Sequence, residues 1–158
     1  KPSMKRAVKT GLPAVNRPIE WATIADGVLY TAQLPLKADG SFETGDIRVQ
    51  TDLTLRNLKQ TVEAAKGGMA DVTQVLVYLT DENDFAGMNE VYGRYFEKPY
   101  PNRATLLSRL VVPGARIEIV AYAHIGGTGK PAATVRRAKP KRKPKTAQPK
   151  RKTARKRR

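Results

Sequence analysis

From Lys130 to Arg158 the chain carries 15 Lys and Arg and no Asp or Glu. The stretch holds one valine, no aromatic residue, and prolines at 131, 140, 144 and 149. Such a segment has no apolar surface to offset the entropy of ordering, and its prolines oppose a continuous helix. Whatever folds must therefore lie before it. There the chain's other 15 bases meet 14 acids across Lys1–Gly129, a net charge of +1. The sequence thus divides into a basic irregular arm over 1–17, an α+β domain over 18–125, and a basic tail over 126–158 that is disordered when alone.

The 158 residues include no cysteine and a single histidine, His124. Disulfides, thiolate catalysis and cysteine-based zinc sites are excluded, and a histidine cluster cannot form within one chain. No apolar run approaches the ~20 residues of a membrane span. The N-terminal bases precede no apolar core, so no signal peptide is expected. The expected location is the cytoplasm, at the nucleoid if the tail engages DNA, or the nucleus in a eukaryotic cell.

Turn signals and periodicity order the domain. Trp21–Ile24 and Val28–Leu34 are strand candidates joined by Asp26-Gly27, a hairpin signal. A helix is expected over Ile47–Lys66, with Leu55, Leu58, Val62 and Ala65 on one face and Gly67-Gly68 supplying a left-handed stop. Val72–Leu79 is apolar enough to be a strand buried on both faces. Asp81–Asp84 can cap a second helix, Phe85–Phe96, whose Phe85, Tyr92 and Phe96 read as core. The order β-β-α-β-α-β-β predicts one mixed sheet with two helices on one face.

The last two strands carry the chemistry. Arg103, Thr105, Leu107 and Arg109 alternate onto one face of the first, and Glu118, Val120 and Tyr122 onto one face of the second. Val112-Pro113-Gly114-Ala115 suits a type II turn. Read as an unbulged hairpin, this places Arg103 opposite His124 and Glu118 opposite Arg109. Arg103 and Glu118 of one chain then stand about 20 Å apart at strand rise. They can meet on a small ligand only if a second copy supplies one of them. Leu107, Val120 and Tyr122 are also too apolar for open solvent, which points to association through the sheet.

Four segments in order resemble the Rid family, the YjgF-like imine/enamine deaminases. They are Thr31–Pro35 (TAQLP), Gln50–Ala65, Val75–Phe96 with the D-F-x-x-x-N-x-x-Y-x-x-F spacing of Asp84, Phe85, Asn89, Tyr92 and Phe96, and Pro101-x-Arg103 followed by Pro113–Ile119 (PGARIEI). The resemblance covers roughly Trp21–His124. It implies a chorismate-mutase-like fold, a homotrimer, and a site in each cleft between copies that converts 2-imino or 2-enamino acids to 2-keto acids and ammonia, without metal or organic cofactor. Carried over residue by residue, Arg103 binds the substrate carboxylate and Glu118 positions the attacking water. Asn89 matches a site-supporting asparagine, and Thr105 lies where backbone groups help hold the carboxylate. Thr31 and Ala32 stand where the family has serine and glycine, and line the pocket with an extra methyl each. Pro18 occupies the place of the family's usual tyrosine, with Glu20 and Trp21 close by.

Plainer readings accompany these. Arg103 can be a surface strand arginine, Glu118 a cross-strand partner of Arg109, and Asn89 a brace for a loop. His124 reads as structural or solvated. Thr31 and Ala32 can serve strand packing.

In the tail, Arg136, Arg137, Lys139, Lys141, Arg142, Lys143, Lys145, Lys150, Arg151, Lys152, Arg155, Lys156, Arg157 and Arg158 resemble histone-like tails and suit the phosphate backbone of DNA or RNA, without sequence readout. The runs KPKRK and PKRK also resemble a nuclear-import signal, and an acidic protein or anionic surface is a further candidate partner. The rival overall reading is a non-catalytic oligomer that presents its tails to nucleic acid. A nuclease role fits less well, because one histidine and no acidic metal cluster offer little for phosphodiester cleavage.

Overall fold

A computed structural model describes residues 4–126. The tail residues named above lie outside them. Six strands, β1 (Arg6–Ala7), β2 (Ala22–Ala25), β3 (Val28–Gln33), β4 (Val72–Leu79), β5 (Asn102–Leu107) and β6 (Ile117–His124), and two helices, α1 (Ile47–Ala64) and α2 (Phe85–Tyr92), form an α+β domain. The strands make one mixed sheet in the order β1-β2-β3-β6-β4-β5. Strand β1 is a short edge pairing in the arm that composition did not reveal; Arg6 pairs with Ile24 and Ala7 with Thr23.

The first hairpin follows its turn chemistry. Asp26 and Gly27 both take positive φ, 51° and 76°, as a type I′ turn requires. Helix α1 begins at Asp46, whose carboxylate accepts from the amides of Arg48 and Val49. Its Leu55, Leu58 and Val62 are fully buried in one core with Val75, Val77, Leu79, Ile117, Ile119, Ala121 and Ala123. Past its end it is Lys66, not a glycine, that takes the left-handed conformation, at φ 69°. Gly67 answers a different need, since a Cβ there would collide with Ile125.

Strand β4 is central because both its edges find partners. It pairs in parallel with β5 across the α2 crossover and antiparallel with β6. Strands β5 and β6 are therefore not paired with each other, and the expected hairpin does not form. The Val112–Ala115 turn does form, with the Ala115 amide donating to the Val112 carbonyl at 3.2 Å and Gly114 at φ 78°. It lies in a longer segment, residues 108–116, that carries the chain past the β4 position. The physical reason is β4 itself: a strand this apolar cannot leave an edge open, so β6 inserts between β3 and β4.

Burial on β4 is one-sided within a chain. Val75, Val77 and Leu79 are buried beneath the helices, whereas Leu76 and Tyr78 on the other face are only half-buried. Among the described residues no helix is long and apolar enough to cross a membrane.

Candidate active site: two half-sites on opposite faces of one sheet

Register fixes where each candidate side chain stands. Arg103 pairs with Val75, and Val75 pairs on its other edge with Ala121. Glu118 pairs with Tyr78. The two are separated by three residues along the strands and two strand spacings across them, about 14 Å between backbones. Alternation adds a stronger separation. Arg103 shares the face of Val75 and Val77, towards the helices, and Glu118 shares the face of Leu76 and Tyr78, away from them. The hairpin distances expected from sequence are thus replaced by another geometry, in which one chain still cannot bring the pair together. Arg109 lies beyond the end of β5 and does not face Glu118.

The helix-side cluster forms around Arg103. Its Cζ lies 4.6 Å from the centre of the Tyr92 ring and 5.9 Å from that of Phe85, and its Nη1 is 4.0 Å from Met88 Sδ. Phe85, Met88, Asn89 and Tyr92 follow the i, i+3, i+4, i+7 spacing of one helical face, so α2 lays Asn89 on the stripe that meets Arg103. Thr105 follows two residues along β5 on the same face as Arg103. Phe85 is not core, being 46% exposed; Tyr92 and Phe96 are buried. Among the described residues no carboxylate lies within salt-bridge distance of Arg103, whereas Arg48, Arg56, Arg94 and Arg116 each pair with one.

The outer cluster forms around Glu118. Burial alone pushes its carboxyl above the ordinary 4.5, since exclusion of water disfavours the charged form. Val120 and Tyr122 continue its face along β6, and Ala32 pairs with Val120. Glu20, Tyr30, Ala32, Val120 and Tyr122 surround a shallow hollow of about 270 Å³. Thr31 borders it, but its hydroxyl is buried, donating to the Trp21 carbonyl at 2.6 Å and accepting from the Gln33 amide at 2.8 Å. Thr31 is thus placed in the core network, and Ala32 opposite Val120, two residues along β6 from Glu118. Leu107 shares the Arg103 face and not that of Val120; Leu106 takes the outer position. The Trp21 indole donates to the Pro13 carbonyl and pins the arm. A larger hollow of about 430 Å³, lined by Lys59, Arg94, Tyr95 and Lys98 among others, contains none of the candidate residues.

One ion pair sets the start of the Glu118 strand. Arg116 Nε and Nη2 each donate to Asp84 at 2.8 Å, and Asp84 is only 5% exposed. The Arg116 amide donates to Gln50 Oε1 at 2.7 Å, while Gln50 Nε2 donates to the Gly45 and Gly114 carbonyls. The first residue of the D-F-x-x-x-N motif is thus structural, tying α2 to β6. Among the described residues no group of three His, Asp or Glu is placed to hold a metal ion.

A family model described as Endoribonuclease L-PSP matches residues 12–125. Solved structures agree. A candidate endoribonuclease from Thermotoga maritima is 31% identical with a TM-score of 0.73, covering 78% of this chain and all of that one. RidA from an Antarctic Psychrobacter is 29% identical with a TM-score of 0.70, covering 76% and 100%. Escherichia coli TdcF, solved with bound serine, is 28% identical with a TM-score of 0.69, covering 75% and 98%.

Proposed function

This chain belongs to the endoribonuclease L-PSP family, the Rid or YjgF-like group, and from that membership we propose that it hydrolyses 2-imino and 2-enamino acids to 2-keto acids and ammonia. The observation that carries the reading is Arg103. It is a half-buried guanidinium with no carboxylate partner among the described residues, held at the edge of the sheet with soft groups around it. A planar guanidinium offers a carboxylate two parallel charge-assisted hydrogen bonds. The serine bound by TdcF carries such a carboxylate.

In the proposed reaction Arg103 holds and orients the substrate, with Asn89 supporting it from the same side of α2. The carboxylate of Glu118 takes a proton from water as its oxygen attacks the C=N carbon, and the nitrogen leaves as ammonia once protonated. Because Glu118 stands on the opposite sheet face, it must come from a neighbouring copy, and a closed homotrimer with three such clefts fits this requirement. The test is release of keto acid and ammonia from imines generated by an amino-acid oxidase. Wild type should accelerate it and Arg103→Ala should not; equal, negligible acceleration by both contradicts the reading.

A second function rests on the segregated charge. Fifteen bases without an acid in residues 130–158 suit phosphate backbones, and linked tails in an oligomer gain avidity. Should the pocket lack activity, this remains as the rival reading, a tail-bearing binder of DNA or RNA.

A further inference from the structure

We propose that Tyr92 is a positioning residue. Its ring face supports the Arg103 guanidinium where a carboxylate would otherwise stand, and so keeps the arginine's charge open for a ligand. This rests on the reading of Arg103 as the carboxylate-binding group.

Two kinds of partner compete for an arginine. Arg48, Arg94 and Arg116 hold carboxylates at 2.8–2.9 Å, and such a pair occupies the hydrogen-bonding edge of the guanidinium that a ligand carboxylate would need. A ring stacked on the guanidinium takes the flat face instead and leaves the in-plane N–H groups free. At Arg103 the contacts among the described residues are to ring faces and a thioether, not to a carboxylate. Tyr92 lies 4.6 Å from Cζ, Phe85 stands further out at 5.9 Å, and only Nη1 meets Met88 Sδ.

Tyr92 is itself firmly placed. It is 8% exposed, packs on Phe96 with ring centres 4.6 Å apart, and belongs to the central core. Among the described residues its buried hydroxyl has no hydrogen-bond partner. Burial also pushes the phenol up to about 12, so the ring stays neutral and does not become a competing anion. The cradle thus separates two tasks. The ring fixes where the charge sits, and the ligand neutralises it.

The test varies the π-face without varying the shape. Tyr92 is replaced by phenylalanine and by a graded series of fluorinated phenylalanines, with Tyr92→Leu as the ring-free control. Binding of pyruvate, as the carboxylate probe, and the Arg103 Nε–Hε resonance are measured on each full-length protein. Phenylalanine should bind within twofold of wild type. Increasing fluorination should weaken pyruvate stepwise, by about 3- to 30-fold at full substitution, and should raise KM for the imine substrate while leaving kcat within about threefold. Tyr92→Leu should also lose the ring-current displacement of the Arg103 signal. Unchanged affinity across the fluorinated series, or an Arg103 resonance indifferent to loss of the ring, overturns the proposal. The underlying reading fails separately: Arg103→Ala would then bind pyruvate as well as wild type. The ligand-free resonance still reports on the cradle in that event.

Discussion

Glu118 is the residue whose behaviour is most exposed to test. Burial holds its carboxyl above the ordinary 4.5, so the folded chain retains that proton to higher pH than the unfolded one. As pH rises from 4.5 through the raised value, the folded state binds more protons than the unfolded, and stability falls across that window. In separated chains, Glu118→Gln should therefore gain melting temperature on wild type at neutral pH, with the gap closing below pH 4.5. Catalysis runs the other way, because only the carboxylate can accept a proton. The activity of wild type should drop on its acid limb at a pH above 4.5. Glu118→Gln should lose 10²-fold or more in kcat, on the order of a general base's contribution; a variant with full activity removes Glu118 from the chemistry. Arg103 and Glu118 were legible as residues because motif and alternation both mark them. The cradle was not: Phe85, Met88 and Tyr92 sit at helical spacing, which reads as core, and only the placement of β5 beneath α2 shows that they face a cation.

Elements were legible one at a time, and pairing was not. The bounds of β4 and the apolar face of α1 follow from periodicity, and the Asp26-Gly27 hairpin from turn chemistry. The β5–β6 hairpin failed because alternation shows that a segment is a strand without naming its neighbour. The corrective signal lay in Val72–Leu79, whose apolar run demands partners on both edges. What then aligns β6 is the Asp84–Arg116 pair, which joins two separate motifs. Removing the buried carboxylate should leave Arg116 without its charged partner and free the turn at Gly114. Asp84→Ala should cost about 2 kcal/mol, discounted because Arg116 is partly exposed. A urea titration checks this. A change within 0.5 kcal/mol of wild type would show that the turn is held by Gln50 alone.

At the scale of the whole molecule, the outer sheet face and the basic tail remain. The face presents Tyr30, Leu76, Tyr78, Leu106, Val120 and Tyr122 around Glu118, with Tyr30 and Tyr122 packed edge to face. Val120→Asp should separate the copies in sedimentation and abolish deamination even though it spares Arg103 and Glu118. A monomer that keeps full activity contradicts a shared site. The tail predicts a different dependence. Truncation after residue 126 should remove nucleic-acid binding at low salt, and the full chain's affinity should fall steeply as salt rises; binding unchanged by truncation assigns it elsewhere. The charge division itself was legible, since 15 bases without an acid are visible to counting. The most direct measurement mixes two inactive variants, Arg103→Ala and Glu118→Gln, after dissociation and reassembly at equal ratio. If each site takes its arginine from one copy and its glutamate from another, random mixing restores about a quarter of the wild-type activity. If both residues act within one chain, the mixture stays as inactive as its parts.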